Sequence, residues 1–172
     1  MKTIYTTSQV ARICKVAPRT VSKWFDSGRL RGYRVPGSQD RRIPREHLIR
    51  FMEEHQMPLG DLVVGIALTT GCEDLSRVFA KDVDIRIEFV NTGFEVGIAA
   101  DICRCVVVDL DYFLTPEDRI RVVMNLQKAG ILVFGLSCGE PSPCEIYCRR
   151  VFRRGIDSAI IRNDIRNEIG AA

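Results

Sequence analysis

From Asp61 onward, the sequence alternates short apolar runs with segments that are long enough to form helices. The runs are rich in Val and Ile on consecutive positions, which is typical of strands in a sheet that is covered on both faces. The predicted strands are "LVVGIALTT", "DIRIEFV", "CVVVDLD", "ILVFGLS" and "IDSAIIR". The predicted helices are "EDLSRVFAK", "TGFEVGIAADI", "TPEDRIRVVMNLQKAG", "SPCEIYCRRVFRRG" and a short last helix, "NDIRNEIGAA". This alternation predicts a doubly wound, parallel five-stranded α/β domain with its functional residues at the carboxyl ends of the strands.

Basic residues are concentrated in the first third of the chain. Residues 1–57 contain 12 Lys and Arg against 5 Asp and Glu, whereas residues 58–172 contain 13 against 17. This asymmetry indicates that only the first segment binds a polyanion. A Pro and a Gly interrupt the pattern between the two segments. We therefore predict a small N-terminal domain at residues 1–57, a linker at residues 58–61 and the α/β domain at residues 62–172.

The composition excludes several classes of protein. No apolar run reaches the length of about 18 to 20 residues that crosses a bilayer, and the first residues lack the apolar core of a signal peptide. We therefore expect a cytoplasmic protein without membrane contact. The 7 cysteines include no CxxC pair, so in a reducing compartment we expect buried or free thiols.

The N-terminal domain begins with two predicted short helices. Thr6 and Gln9 have the spacing of a capping box at the start of the first helix. Pro18 suits the first position of the second helix, and Gly28 suits the position after its end. Within the second helix, apolar residues at positions 21, 24 and 25 have the spacing of a core face. Arg19, Ser22 and Lys23 then face outward, with Thr20 near the helix start.

A basic hairpin is predicted after the second helix. Its strands are Leu30 to Val35 and Arg41 to Ile43, and it carries Arg31, Arg34, Arg41 and Arg42. Because four guanidinium groups on one small hairpin repel one another, phosphate groups would relieve that repulsion. A third helix, "REHLIRFMEEH", follows Pro44. Two short helices and a basic hairpin predict a helix-turn-helix whose second helix enters the major groove of DNA.

The stretch "TSQVARICKVAPRTVSKWFDSGRL", followed by "RRI" and "HLIRFM", closely resembles the winged helix-turn-helix of the MerR and excisionase families. The resemblance covers Ile4 to about Glu54 and implies binding to double-stranded DNA. It implies that residues of the second helix approach base edges and nearby phosphates, and that the wing lies along the backbone beside the minor groove. The predicted DNA-binding residues are Arg19, Thr20, Ser22, Lys23, Arg34, Arg41 and Arg42. Asp40 departs from the family pattern and would weaken contacts at the tip of the wing.

The spacing of elements from Leu62 to Glu168 resembles the receiver domain of response regulators, a flavodoxin-like fold. The resemblance implies that Asp109, which ends the third strand, occupies the phosphoacceptor position. It also implies that Ser137, which ends the fourth strand, occupies the position of the switch residue. Two departures are evident: Thr69-Thr70 replaces the acidic pair after strand one, and Arg162-Asn163 replaces the Lys-Pro after strand five.

Loss of the acidic pair weakens the case for phosphorylation. Phosphoryl transfer to a carboxylate relies on Mg²⁺, which prefers carboxylate oxygens over uncharged hydroxyl groups. Asp111 is the best placed substitute, but one carboxylate does not rebuild the site. We therefore predict no metal, no cofactor and a pseudo-receiver that forms a homodimer or larger self-assembly, or docks a protein partner. Arg149, Arg150, Arg153 and Arg154 are expected on the fourth helix, where they could either join a charged dimer face with the acids of a neighbour or form a solvated helix face.

Several alternatives remain open at this point. A working phosphorylation switch would use Asp109. Three thiols at the carboxyl edge of the sheet, Cys72, Cys138 and Cys144, could bind Zn²⁺ or form a redox pair. The chain could also be an architectural excisionase-like protein or an adaptor. The sequence contains no nucleophile–base pair and no phosphate-binding glycine loop that would indicate an enzyme. The leading hypothesis is a DNA-binding transcription regulator.

Overall fold

The computed structural model describes residues 2–139 and 142–171. The chain divides into two compact units, Met1–Val63 and Val64–Ala172. Residues 58–61, which were expected to form a linker, belong to the first unit, and Gly60–Leu62 form one 3-10 turn. No helix in the described part of the chain is both long and apolar enough to cross a membrane.

The first unit combines three helices with a small antiparallel sheet. The helices are α1 (Thr7–Ile13), α2 (Pro18–Asp26) and α3 (Arg45–Glu54), and the strands are β1 (Ile4–Thr6), β2 (Tyr33–Arg34) and β3 (Arg41–Pro44). The strand order is β1-β3-β2. The hairpin strand before the turn is shorter than predicted, and β1 was not predicted at all.

Local signals define the ends of the first two helices. The N–H of Gln9 donates to Oγ1 of Thr6, and the N–H of Thr6 donates back to Oε1 of Gln9, which confirms the capping box. Pro18 begins α2, and Gly28 follows its end with a positive φ of 76°. The helix therefore stops where a residue without a Cβ can turn the chain.

Only part of the predicted core face of α2 is buried. Val21 is fully buried, whereas Trp24 and Phe25 are half-buried. The Trp24 ring lies 4.9 Å from that of Phe51 on α3. Arg45, at the start of α3, donates 2.7 Å to the carbonyl oxygen of Leu62 and thereby ties the last residues of this unit to the helix.

The second unit is a parallel sheet of five strands with helices on both faces. The strands are β4 (Val64–Thr69), β5 (Ile85–Val90), β6 (Cys103–Asp109), β7 (Leu132–Ser137) and β8 (Arg150–Arg153), in the order β5-β4-β6-β7-β8. The helices are α4 (Glu73–Phe79), α5 (Gly93–Ala99), α6 (Pro116–Lys128) and α7 (Ser158–Ala171). Side chains from α4 and α7 fill the core on one face, and those from α5 and α6 fill the core on the other. This is the doubly wound architecture that the sequence predicted.

The prediction was wrong at the fifth strand and its preceding helix. The segment "SPCEIYCRRVFRRG" forms a 3-10 turn at Glu145–Tyr147 and the strand β8, not a crossover helix. The segment "IDSAIIR" begins α7, not a strand. The arginines expected on a fourth helix therefore lie on β8 or beside it, and all four form ion pairs: Arg149 with Glu168, Arg150 with Asp164, Arg153 with Glu145 and Arg154 with Asp109.

The periodicity of α7 explains the error. Ile161, Ile165 and Ile169 recur every four residues, and each is nearly or fully buried against the sheet. Asp157 precedes the helix, and its carboxylate accepts the N–H of Ala159 at 2.8 Å. A helix start followed by a period of four favours a helix over a strand, but the short run "AII" obscures it.

Candidate functional site

The outer face of α2 is the first candidate site. Arg19 and Lys23 are exposed and lie four residues apart, so they share one face of the helix. Neither side chain forms an intramolecular hydrogen bond or ion pair in the described part of the chain. Ser22 and Thr20 are half-buried beside them, while Val21 points into the core. The fold thus presents two uncompensated cations and a hydroxyl group where the sequence predicted the contact with bases.

The wing arginines are held differently from those of α2. Asp26, the last residue of α2, accepts from Arg34 at 2.9 Å and from Arg41 at 2.7 Å. Asp40 pairs with Arg42 at 3.2 Å. The hydrogen bond from Arg41 is the main reason that the pKa of Asp26 lies below its ordinary value. Repulsion among Arg34, Arg41 and Arg42 is therefore partly relieved within the protein by these two acids, and relief by phosphate groups stays a prediction.

The base of the wing packs closely against the end of α2. The guanidinium groups of Arg34 and Arg41 lie 5.9 Å and 5.7 Å from the centre of the Phe25 ring. A Cβ at Gly32 would come within 2.4 Å of the carbonyl oxygen of Arg42 and 2.9 Å of the Phe25 ring. Glycine at position 32 therefore permits the close approach that fixes the wing relative to the second helix.

The second candidate site lies at the carboxyl ends of the strands in the α/β unit. Asp109 ends β6 and is fully buried. Its Oδ1 accepts the N–H groups of Asp111 and Tyr112, each at 2.8 Å. Its own N–H donates 2.8 Å to the hydroxyl group of Thr69. The remaining oxygen, Oδ2, forms an ion pair with Arg154.

Arg154 was not recognised in the sequence as part of this site. It directly follows β8, so Arg154-Gly155, and not Arg162-Asn163, occupies the position after strand five. Its side chain also donates 3.1 Å to the carbonyl oxygen of Gly71. Burial opposes its charge, but the carboxylates of Asp109 and Asp111 outweigh this effect and hold the pKa of the guanidinium above its ordinary value.

The carboxylate of Asp111 contacts residues at the carboxyl ends of two other strands, β7 and β8. It accepts the hydroxyl group of Ser137 at 3.2 Å and the N–H of Cys138 at 2.7 Å, and Nε of Arg154 lies 3.7 Å away. Burial opposes ionisation, but the hydrogen bonds from Cys138 and Ser137 outweigh it and lower the pKa of Asp111 below its ordinary value. The candidate switch residue Ser137 thus contacts Asp111.

The residues that replace the acidic pair have other partners. Thr69 is buried and accepts from the backbone of Asp109, whereas the hydroxyl group of Thr70 donates 2.7 Å to Asn91. Gly71 covers Asp109 so closely that a Cβ there would lie 1.9 Å from Oδ2 of the carboxylate. Thr69 and Gly71 therefore enclose Asp109, with Arg154 as its counter-ion.

The buried Arg119 of α6 holds the loop that follows Asp109. It donates to the carbonyl oxygens of Phe113 at 2.7 Å and Asp111 at 3.1 Å, and also to that of Leu110. No acid is among these partners, so the guanidinium group serves the backbone of the loop. No sequence pattern around position 119 indicates this role.

The cysteines do not form the cluster that the zinc or redox alternative requires. Cys72 belongs to the core on one face of the sheet and Cys144 to the core on the other, while Cys138 is exposed. Within residues 2–139 and 142–171, no three His, Cys, Asp or Glu side chains are grouped to hold a metal ion. Burial raises the pKa of Cys72 to about 12, and a hydrogen bond to Asp111 raises that of Cys138. Raised pKa values keep thiols protonated and poorly reactive.

Comparisons with known proteins match the two units of the chain separately. The profile of the helix-turn-helix domain family matches residues 4–56. A search of curated proteins found no match. Residues 4–56 therefore form a helix-turn-helix domain, and the particular branch of that large family rests on the sequence motifs alone.

Solved structures resemble the α/β unit. A CheY-like receiver domain protein from Methanospirillum hungatei JF-1 is 9% identical, with 63% of this chain and 95% of that chain covered at a TM-score of 0.50. A two-component response regulator from Clostridium difficile is 10% identical, with 60% and 93% covered and a TM-score of 0.48. The receiver domain of a sensor histidine kinase from Pseudomonas aeruginosa PAO1 is 14% identical, with 63% and 98% covered and a TM-score of 0.48.

The first of these comparisons shows the fold and no more. The α/β unit has the flavodoxin-like fold of receiver domains, with five parallel strands in the order found here. Whether this unit keeps the chemistry of a receiver depends on its own residues.

Proposed function

We propose that this chain is a sequence-specific DNA-binding transcription regulator. The observation that carries the proposal is the pair of exposed cations on α2, Arg19 and Lys23, which have no partner within the described chain. A helix that presents such cations on one face suits the major groove, where Arg and Lys donate to guanine and to phosphates. The helix-turn-helix match over residues 4–56 supports the same function.

The wing is proposed to contact the DNA backbone. Arg34, Arg41 and Arg42 pair with acids on an exposed surface, and exposed pairs contribute little stability. Phosphate groups can therefore replace Asp26 and Asp40 as partners without a large penalty. This arrangement would place the wing beside the minor groove, as the resemblance to MerR and excisionase proteins implies.

The α/β unit is proposed to act without Mg²⁺-dependent phosphorylation. The observation that supports this is the ion pair between Asp109 and Arg154, which puts a cation on Oδ2, the carboxylate oxygen that accepts no N–H group from Asp111 or Tyr112. A guanidinium group at this position repels Mg²⁺, and Thr69 and Thr70 offer no charge to attract it. The unit would then serve to pair copies of the chain or to dock a partner.

Pairing of the chain follows from the size of the DNA-binding unit. One small module buries a limited area on DNA, so useful affinity and specificity call for two modules on one site. We propose a homodimer that is held by the α/β unit. Sedimentation of the full-length protein bound to its DNA tests this: one chain per site at saturation contradicts the proposed pairing.

The DNA-binding proposal is tested by selecting bound fragments from random DNA with the full-length protein. The variant Arg19→Ala/Lys23→Ala is expected to bind the selected site at least about tenfold more weakly and to lose sequence preference. A charge-matched control is Arg77→Ala/Arg104→Ala, which removes two exposed arginines of the α/β unit. Equal affinity and preference in the α2 variant would exclude α2 as the recognition helix.

Phosphorylation is tested by mass spectrometry after incubation with acetyl phosphate and Mg²⁺. We expect no addition of a phosphoryl group to the wild type. A phosphoryl addition that disappears in Asp109→Asn would overturn this part of the proposal and leave DNA binding untouched. Adding Arg154→Ala to the series shows whether the guanidinium group is what prevents the reaction.

A further inference from the structure

A second basic surface of the helix-turn-helix unit takes no part in the proposed contacts with bases or along the wing. It is a pocket between the end of α2, the start of the wing and one face of α3. Six residues line it and matter to its chemistry: Arg29, Arg31, His47, Arg50, Phe51 and Glu54. Positions 47, 50, 51 and 54 recur at helical spacing, so α3 supplies one continuous wall.

The pocket has an excess of positive charge. Three guanidinium groups face one carboxylate, that of Glu54. Arg31 and Arg50 are exposed and have no intramolecular hydrogen bond or ion pair in the described residues. The wing differs, because there Asp26 already neutralises Arg34 and Arg41. Cations that converge on a concave surface without counter-ions attract an anion.

Arg29 is held in place by an aromatic stack. Its Nη2 lies 2.9 Å from Nε2 of His55, and because a guanidinium group only donates, Nε2 accepts. The other ring nitrogen of His55, Nδ1, then carries the proton and donates 2.8 Å to the carbonyl oxygen of Phe51. The His55 ring stacks on Phe51 at 4.3 Å, and Phe51 in turn contacts Trp24. The orientation of Arg29 is therefore set before any ligand arrives.

His47 gives the wall a polar atom that the protein does not satisfy. Its Nδ1 is buried and has no hydrogen-bond partner among the described residues, while Nε2 lies 3.8 Å from Glu46. Buried polar atoms are rarely left without a partner unless a site has another role. The pocket thus combines an oriented arginine with two uncompensated arginines, and a half-buried histidine forms part of its wall.

We propose that this pocket binds a phosphate group. The planar guanidinium fork matches two phosphate oxygens at once, and three such groups on a concave surface favour a tetrahedral phosphate, whose several oxygens can accept from different arginines, over a single carboxylate. The phosphate comes either from the DNA backbone beyond the edge of the recognition helix or from a free organic phosphate. Both sources share the same chemistry and are separated by experiment.

The first arm of the test uses pyrophosphate and the full-length protein in a calorimetric titration. Wild type and the control Arg77→Ala/Arg104→Ala are expected to bind equally. Arg31→Ala/Arg50→Ala is expected to bind at least about tenfold more weakly, because each lost charge-assisted bond contributes on that order. Both variants replace exposed side chains, and matching circular dichroism spectra verify that they are folded.

The second arm measures DNA affinity against salt, and this arm alone depends on the proposed DNA-binding function. If the DNA backbone supplies the phosphate, Arg31→Ala/Arg50→Ala makes the slope of log K against log salt shallower by about 1.8, or about 0.9 for each lost contact. The control pair leaves the slope unchanged. Sequence preference also stays the same, because phosphate contacts carry no base information.

Each outcome either identifies the source of the phosphate, the DNA backbone or a free organic phosphate, or contradicts the proposal. A shallower slope assigns the pocket to the DNA backbone. An unchanged slope with pyrophosphate binding that requires Arg31 and Arg50 assigns it to a free phosphate. Unchanged behaviour of Arg31→Ala/Arg50→Ala in both arms overturns the proposal. If the wild type does not bind DNA at all, the proposed function is contradicted. The pyrophosphate titration would still test the pocket in that case.

Discussion

The two units each contain an aspartate that is paired with arginine, and the two pairs differ in burial. The side chain of Asp26, between Arg34 and Arg41 at the base of the wing, is 46% exposed. Asp109, beside Arg154, is 0% exposed. An exposed pair is screened by water and can exchange its carboxylate for phosphate, whereas a buried charge that loses its partner is strongly destabilising. Similar chemistry therefore gives a replaceable partner in one unit and a fixed pair in the other.

The largest effect is expected for Arg154→Ala. The variant leaves the carboxylate of Asp109 buried without its cation, and we expect the free energy of unfolding to fall by about 3 kcal/mol. Urea unfolding of the full-length protein measures this. The double variant Asp109→Asn/Arg154→Ala removes the uncompensated charge as well and should recover much of the loss. If Arg154→Ala were as stable as the wild type, the buried pair would not be the fixed element described above.

A somewhat smaller loss is expected for Gly71→Ala. Its φ of 91° disfavours any side chain, and the new Cβ would lie 1.9 Å from Oδ2 of Asp109. We expect a loss of about 2 kcal/mol in urea unfolding. Gly130→Ala is the matched control, because φ is 78° there and no atom lies within 4 Å of the Cβ. Equal losses in both variants would mean that backbone strain, and not contact with Asp109, dominates.

The third variant, Asp26→Ala, is expected to improve a property of the protein, whereas the first two variants lower its stability. The property that should improve is DNA binding. The substitution removes the carboxylate that competes with phosphate groups for Arg34 and Arg41, so the affinity for DNA should rise by up to about fivefold, the equivalent of one exposed ion pair. Fluorescence anisotropy of labelled DNA over a series of salt concentrations measures the change. Asp74→Ala removes the same charge from an exposed site in the α/β unit and serves as the control. A weaker affinity in Asp26→Ala would mean that Asp26 orders the wing for binding.

The smallest effect concerns pH and Asp111. Because the pKa of Asp111 is lowered in the folded state, its contribution to stability is present above the unfolded value of about 4 and is lost as pH falls through the folded value. Asp111→Asn should therefore be less stable than the wild type at about pH 6, with a difference that shrinks toward about pH 3. Asp101→Asn, at an exposed carboxylate, controls for general charge effects. A constant difference at all pH values would mean that the hydrogen bonds, and not ionisation, stabilise this site.

Regular periodicity was sufficient to predict most of the elements. Four strands and three helices of the α/β unit were recognisable in the sequence. Each has a length that is ordinary for its type, and each carries either a continuous apolar run or a capping residue. The strand β8 was missed because its two apolar residues, Val151 and Phe152, lie between pairs of arginines. The strand β1 was missed because three residues give no pattern, and pairing with β3 defines it.

The candidate sites were predictable where one element supplies the residues. Arg19, Ser22 and Lys23 share a face of α2, so helical spacing alone identifies them. Asp109 was identified because it ends an apolar strand. Its partner Arg154 was not, since the pair joins residues 45 positions apart and the sequence of the preceding strand predicts a helix. Long-range pairs depend on tertiary packing that sequence spacing does not carry.

The contact between Trp24 and Phe51 has a practical consequence. Trp24 is the only tryptophan of the chain, and it lies in the helix-turn-helix unit. Its intrinsic fluorescence therefore reports on that unit alone, whereas far-ultraviolet circular dichroism reports on the helices and strands of both units. Recording both signals in one denaturation experiment makes it possible to compare the unfolding transition of the helix-turn-helix unit with that of the whole chain.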